Sequence, residues 1–407
     1  MSVASISILT QYYPPETGAP QNRLHSLARF MVSQGFDVRV YTAMPNYPTN
    51  RVNENYRGKW VCDEILDDIN VFRSWIFVPQ SRGIVARLLN YFSFVITSFF
   101  RLLFATRSDF LLCESPPLFL GLTAVIIARL KGSKLIFNVS DLWPESAEKL
   151  GLVTNKTALR LSYALEGWIY KKSWLISGQT QGIVANIRAR FPGQRVVWLP
   201  NGIDLEFLNN GSTTDWRMRW GIRHDEFVVL YAGIIGYAQG LEVIIEAAAR
   251  MMQEPVRFVL AGDGPEKERL RSRAQELNLT NVYFQDNVPK QEMPGMIRAC
   301  SVFVVPLRKL ELFKGAIPSK IFEPLALAKP IALGVEGEAR ELFIDQGHAG
   351  LAFEPGNAED LAEKLRWLHQ NPDKAARLSE NGKQYVVSHF NRSKIYQTFV
   401  DQLVVAE

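Results

Sequence analysis

Cysteine is scarce in this chain of 407 residues, with three, Cys62, Cys113 and Cys300. They are isolated and odd in number. They offer neither a disulfide framework nor a metal-ligand spacing, and a reducing cytosol is the expected compartment. No apolar run is long enough to be read as a spanning helix; the longest, between Arg82 and Arg107, is interrupted by Arg101. The Val3–Leu9 segment runs straight into Gln11-Tyr-Tyr-Pro-Pro-Glu16, which is not a secretory pattern. No G-x-G-x-x-G follows it, so dinucleotide binding is not expected. The first half of the chain is short of acid. Residues 1–200 hold 22 Lys/Arg against 13 Asp/Glu, a formal +9, whereas residues 201–407 hold 24 against 28, a formal −4. A basic half calls for an anionic partner. The basic residues do not interleave with aromatics in any nucleic-acid-binding motif, so a membrane surface is the better expectation and nucleic acid is not expected.

What is present fits a folded α/β protein of two domains. The length exceeds a single hydrophobic core, and 47% hydrophobic with 21% charged residues is a globular composition. Ile6–Leu9 reads as a buried strand, the segment from about Asn22 to Gln34 as a helix, and Val38–Thr42 as the next strand, a βαβ start with an elongated first loop. Gly18 in that loop would let the backbone approach a substrate, or would serve a plain turn. Val71–Phe77 reads as a strand. The apolar, aromatic, arginine-bounded stretch 82–107 reads as a helix, either lying in a headgroup region or packed on the sheet; Lys156–Lys172 would add to the same surface. Strands are expected at Phe110–Glu114 and Lys134–Val139, the second leading into Ser140-Asp-Leu-Trp-Pro-Glu145. Asp141 and Glu145 are candidate acceptor-side or catalytic carboxylates, although an Asp at a strand end also caps helices. Trp174–Ser177 and Val196–Leu199 complete an expected parallel sheet of six or seven strands, and Pro200–Asp204 reads as a hinge.

The pattern then restarts. Strands at Phe227–Ala232, Val256–Leu260, Val282–Phe284, Val302–Val305 and Ile331–Leu333 alternate with helices, and glycine-rich loops at Gly233–Gly240 and Gly262–Gly264 suit phosphate or ribose contacts. Between the last two strands lies Lys314-Gly-Ala-Ile-Pro-Ser-Lys-Ile-Phe-Glu323, read as a polar loop entering a capped helix from Ile321 to Ala328. Unpaired N–H groups and a positive dipole end there would suit an anion. Lys320 would be unfavourable in a first turn unless an anion sat beside it, so the loop is expected to hold the phosphates and sugar of a nucleotide-sugar. An ordinary capped helix with solvated charges is the alternative. Pro372–Val405 reads as helical and long enough to return to the first domain.

Six motifs in order then carry a resemblance. Gln11-Tyr-Tyr-Pro-Pro-Glu-Thr-Gly18, Asp141-Leu-Trp-Pro-Glu-Ser146, Leu199-Pro-Asn-Gly-Ile-Asp204, Leu230-Tyr-Ala-Gly233, Gly262-Asp-Gly264 and Pro318-Ser-Lys-Ile-Phe-Glu323 resemble the GT-B-fold retaining glycosyltransferases of family 4. They are closest to the bacterial O-antigen and capsule branch of L-fucosamine and colanic-acid transferases. The resemblance implies two Rossmann-like doubly wound domains facing across a cleft. An acceptor-binding domain would be 1–200 completed by about 388–407, and a donor-binding domain 201–387. It implies no metal and no cofactor, with an N-acetylated deoxy or amino sugar passing from UDP to a lipid-diphosphate-linked glycan on the inner face of the plasma membrane. A soluble GDP-sugar transferase and an inactive scaffold are the alternatives. No D-x-D-type acidic pair ends a strand, in keeping with a metal-free site. Three departures stand out. Gly315 occupies the first Glu position of the family's Glu-x7-Glu motif, about Ile234 and Gln239 replace its phosphate-binding Arg and Lys, and Ser140 replaces its His. The diphosphate charge therefore falls to Lys320, with Ser319, the adjacent N–H groups and Lys314 in support. Glu323 would hold ribose hydroxyls. Gly18, Asn201, Gly233, Gln239, Gly262, Gly264 and Val288 are expected at the donor, and Asp141 and Glu145 on the acceptor side, with Asp141 and Lys320 as the catalytic pair.

Overall fold

The computed structural model describes residues 4–16, 18–47, 50–79, 83–206 and 214–404. Val3, Thr17 of the first-loop motif, Arg82 at the head of the long helix and Val405 at the end of the tail lie outside the described residues. The chain divides into two compact units, Met1–Pro200 with Tyr396–Glu407, and Asn201–Ile395.

The first unit is built on β1 (Ser5–Leu9), α1 (Ala19–Ser33), β2 (Asp37–Ala43), β3 (Val61–Leu66), β4 (Ile69–Ser74), α2 (Ile84–Leu103), β5 (Phe110–Ser115), α3 (Leu120–Lys131), β6 (Lys134–Val139), α4 (Glu145–Lys149), α5 (Lys156–Lys172), β7 (Leu175–Gly178), α6 (Gln181–Arg190) and β8 (Val196–Trp198). Its eight strands run in the order β3-β4-β2-β1-β5-β6-β7-β8. Seven of them are the expected parallel strands, and an eighth was not expected. β3 is an additional strand that pairs antiparallel with β4, Val61 opposite Ser74 and Leu66 opposite Ile69. It alternates exposed and half-buried residues and carries Asp63 and Glu64, so it reads as polar sequence rather than as an apolar run. Helix α1 also begins three residues earlier than expected, because Pro20 suits its first turn. The central strands are buried on both faces, which explains their mostly apolar composition.

The second unit is a six-stranded, all-parallel sheet in the order β11-β10-β9-β12-β13-β14. Its strands are β9 (Phe227–Ala232), β10 (Val256–Ala261), β11 (Val282–Gln285), β12 (Val302–Pro306), β13 (Ile331–Gly334) and β14 (Gly350–Ala352). The last, three residues long, is too short to carry a sequence signal. Each unit has its own apolar core, one around Leu9, Phe94, Leu120, Phe137 and Ile176, the other around Val229, Ile244, Phe258, Val304 and Leu361. The tail forms two helices, Pro372–His389 and Arg392–Val404. The second of them packs on the first unit, where the Tyr396 hydroxyl donates to the Arg23 carbonyl at 3.1 Å and Arg195 donates to the Gln402 carbonyl at 2.9 Å.

Candidate functional site

In an open parallel sheet, ligand crevices lie beyond the carboxyl ends of the strands where the strand order reverses. In the second unit that point is between β9 and β12. β9 ends in Tyr231-Ala232 and runs into the Gly233 loop, and the segment after β12 brings Lys320 back to it. The Lys320 ammonium donates to the Tyr231 hydroxyl and to Gln239 Oε1, both at 2.7 Å. It lies 4.2 Å from the Tyr231 ring centroid, a cation–π distance. The Tyr231 hydroxyl donates its own hydrogen bond to the Ile234 carbonyl at 2.6 Å, so its oxygen can accept from the lysine. A Cβ added at Gly233 would stand 3.1 Å from Lys320 Nζ; the glycine clears the space beside the amine. Lys320 is half-buried, and among the described residues no carboxylate pairs with it. Desolvation by the surrounding protein pushes its pKa down to about 7. An ammonium has three N–H donors, and two are used here.

The loop that delivers Lys320 departs from the expected capped helix. A 3₁₀ turn spans Ser319–Ile321, and the α-helix is only Phe322–Ala326. Ser319 is exposed, and the N-cap position is taken by Pro318, whose side chain makes no cap hydrogen bond. Pro318 and Pro324 bracket the segment and each lacks an N–H, which limits the donors it can present. The positive charge therefore comes from the Lys320 side chain and not from a helix terminus.

Glu323 opens a second cluster. Burial raises its carboxyl pKa, offset by the charges of Lys290 and Arg392. Burial lowers the pKa of Lys290, and neighbouring Arg392 lowers it further, against the opposing pull of Glu323 and Asp204. Arg392 has a buried Nε with no hydrogen-bond partner among the described residues. Sequence reasoning missed Tyr231, Lys290 and Arg392. Tyr231 left a signal, a phenol at the end of an otherwise wholly apolar strand next to Gly233; the other two left none.

The remaining donor-side expectations separate. Gly233 and Gln239 join Lys320. Gly262 and Gly264 have φ of 138° and 155°, and a Cβ on them would stand 2.0 Å from the Gly233 carbonyl oxygen and 2.2 Å from that of Ile235. Their glycine character is explained by this backbone packing under the Gly233 loop. Lys314 is exposed and paired with Glu311 at 2.7 Å. Val288 is half-buried in the loop after β11, and half-buried Asn201 precedes Gly202, where a Cβ would meet the Phe390 carbonyl at 2.3 Å.

In the first unit, polar groups at the strand ends are closed on one another. Arg23 on α1 pairs with Glu114 on β5 at 2.5 Å and donates to Ser140 at 2.8 Å. Ser140 and Asn138 donate to the same carboxylate, and Ser177 donates to Asn138 at 2.7 Å. Ser140, which departs from the family pattern, is thus part of a buried network. Glu16 is equally enclosed, accepting backbone N–H bonds from Tyr13, Asn46 and Tyr47 at 3.1, 2.7 and 2.8 Å. Asp141 accepts from Ser146, and desolvation chiefly, with Glu145 adding, raises its pKa. Glu145 pairs with Lys149 at 2.6 Å. Gly18 is extended at φ 171°, a conformation open to any residue; only the Gln21 amide, 2.4 Å from a Cβ there, crowds it. The first loop and the start of α1 also hold three buried polar atoms without partners among the described residues, Gln11 Oε1 and Tyr13 OH in the loop and Gln21 Oε1 on the helix.

Two family models match the chain. The glycosyl transferase 4-like domain matches residues 18–202 and the model of glycosyl transferases group 1 matches residues 212–385. WcaI of Escherichia coli K12, assigned by name to colanic acid biosynthesis as a glycosyl transferase, is 26% identical over 87% of this chain and 89% of its own. Among solved structures, sucrose-phosphate synthase of Thermosynechococcus elongatus aligns with a TM-score of 0.77 at 18% identity, covering 99% of this chain and 100% of that one. HepE of Anabaena, in complex with UDP and glucose, aligns at 0.71 and 19% identity with coverage of 99% and 100%. Both likenesses are of fold.

Proposed function

The chain belongs to the GT-B-fold glycosyltransferases, and from that premise we propose that it moves a sugar, an N-acetylated deoxy or amino sugar, from UDP to a lipid-diphosphate-linked glycan in bacterial surface polysaccharide synthesis. The observation that carries the reading is Lys320, a half-buried ammonium beside a glycine, with two neutral hydrogen-bond partners and no carboxylate among the described residues. A diphosphate supplies the missing counter-charge. In the transfer, the anomeric carbon–oxygen bond to the diphosphate breaks as the acceptor oxygen bonds to the same carbon. The acceptor's proton passes to a departing phosphate oxygen on the same face, so configuration is retained. Lys320 stabilises the charge that grows on the leaving group, and positioning supplies much of the rest. Glu323 accepts the ribose hydroxyls, with the charges of Lys290 and Arg392 favouring its carboxylate form against the opposing effect of burial. Asp141 faces the acceptor. In this reading protein groups carry the diphosphate charge without a divalent ion. The E. coli and Anabaena likenesses support the polysaccharide setting and the UDP donor, and the basic first unit supports a membrane-borne acceptor.

The test is thermal stabilisation by UDP and by GDP, with and without EDTA. A ligand held by the native state alone stabilises it by about 2.7 kcal/mol at a hundred times its dissociation constant. A shift with UDP that EDTA leaves intact is the expected result. A shift with GDP alone overturns the donor, one abolished by EDTA overturns the metal-free reading, and none with either overturns the site.

A further inference from the structure

Helix α2 of the first unit is apolar on both faces. Beside Phe94, Val95 and Leu102 in the core, its inward side also carries uncharged polar residues. Asn90 donates to the Phe77 carbonyl at 2.7 Å and Thr97 to that of Trp75 at 2.8 Å, and Ser93 accepts from the Phe77 N–H at 2.9 Å. Its outward face is apolar: Val85, Leu89, Phe92, Ile96 and Phe100, continued by Phe104 at the C-cap, are each between 38% and 84% exposed. Steps of three and four residues place these six on one stripe, about 28 Å long at 1.5 Å per residue. A surface helix ordinarily shows water its polar face, and an exposed apolar stripe of this length marks a docking surface.

The neighbouring helices decide the occupant. α2 packs on α3 and α3 on α5. All three follow right-handed crossovers that advance the same way across the sheet, and so they cover the same face of it. Exposed Ile126, Leu130, Leu161 and Trp168 extend the apolar surface. Exposed charges on the three helices are cationic, among them Arg87, Arg129, Lys171 and Lys172. Their single acidic residue, Glu166, is fully buried against Arg190. A second copy docking through this layer would set cation against cation with no acid to relieve it. An anionic bilayer matches both features, apolar side chains below the headgroups and cations among the phosphates. No described helix is long and apolar enough to cross a membrane.

We propose that the outer layer of α2, α3 and α5 is the face on which this protein lies on an anionic phospholipid bilayer, with α2 in the plane of the headgroups. The inference rests on the reading of a membrane-borne acceptor and names the surface that reaches it. Gln11, in the loop after β1, donates to Asn90 on the inner side of the docking helix at 2.8 Å, so the bilayer-facing helix also holds the first loop.

The experiment is co-sedimentation of the full chain with vesicles of phosphatidylcholine alone and of phosphatidylcholine with phosphatidylglycerol, over a range of salt. It is repeated with L89E/I96E and with K171E/K172E. These side chains are exposed, so melting temperatures should match the parent, and UDP stabilisation is measured alongside. Binding to anionic vesicles that weakens with salt is expected, with each double variant reducing it at least about tenfold and leaving the UDP shift unchanged. The inference is overturned if both variants bind like the parent, if no vesicle is bound, or if L89E/I96E turns a dimer into a monomer by sedimentation velocity, which would give the face to a second copy. Loss of the UDP shift with vesicle binding intact would overturn the donor reading and leave this surface standing.

Discussion

Two polar clusters, one in each unit, are finished in opposite ways. In the first, Arg23, Glu114, Asn138, Ser140 and Ser177 close on one another, and Glu16 receives three backbone N–H bonds. In the second, among the described residues, Lys320 is left with neutral partners and Arg392 has a buried Nε without a partner beside Glu323. A closed network is a device for holding loops, and its removal is felt as stability. An open one waits for a ligand, and its removal is felt as activity. The second unit does not lack acid: the helix Lys267–Glu276 binds its arginines to Glu242, Glu246, Glu266 and Glu268, so the missing counter-charge at Lys320 does not reflect a shortage of it.

The largest effect should fall on Lys320. Replacing it with alanine is expected to lower turnover about 10³-fold, the scale of losing one charge-stabilising donor, while the urea midpoint of unfolding changes little. Equal loss in both readouts would put Lys320 in the closed class with Arg23 and break the contrast. Arg23→Met is the mirror case. It leaves Glu114 buried without its cation and is expected to cost about 3–5 kcal/mol in urea unfolding. Whatever protein remains folded should keep its UDP-induced stabilisation. If R23M unfolds normally yet no longer responds to UDP, the first-unit network is a ligand site after all.

How far the sequence went can be argued along the same division. The parallel strands were legible because burial on both faces demands apolar runs, as at Phe227–Ala232 and Leu135–Phe137. β3 was not, because an edge strand with Asp63 and Glu64 looks like loop sequence. The importance of Lys320 was legible from its loop. The physical reason for it was not, since a helix terminus was expected to do what an unpaired ammonium does. Tyr231 and Gln239 lie 89 and 81 residues away in sequence, and only the fold sets them around Nζ. Lys290 and Arg392 reach Glu323 from opposite directions along the chain, and nothing in their local sequence announces it.

Glu323→Gln sharpens the comparison within the second unit. The amide keeps shape and one acceptor but loses the charge that Lys290 and Arg392 hold. Hydrogen bonds to a charged group are worth about 1.5–3 kcal/mol, so the Michaelis constant for the donor should rise tenfold or more with a smaller change in kcat. A fall in kcat alone, with donor affinity kept, would move Glu323 from ribose binding to chemistry.

The smallest effect is a slope. Without ligand, Lys320 titrates near 7 because burial disfavours its charge, and a bound diphosphate must raise that value by supplying the opposite charge. Between the two values binding takes up a proton, so UDP affinity should fall as pH rises above 7, by at most about tenfold per pH unit for one proton. The unliganded protein should show the reverse trend from this group. The unfolded lysine, with its ordinary value of 10.5, binds more protons than the folded one between about 7 and 10.5, so stability rises with pH across that window. Both slopes should vanish in Lys320→Gln. Calorimetric titration of UDP at pH 7 and 8.5 against the parent and K320Q measures the first. A slope that persists in K320Q would assign the proton to another group, with Lys290 the next to test, since its pKa is also lowered by burial.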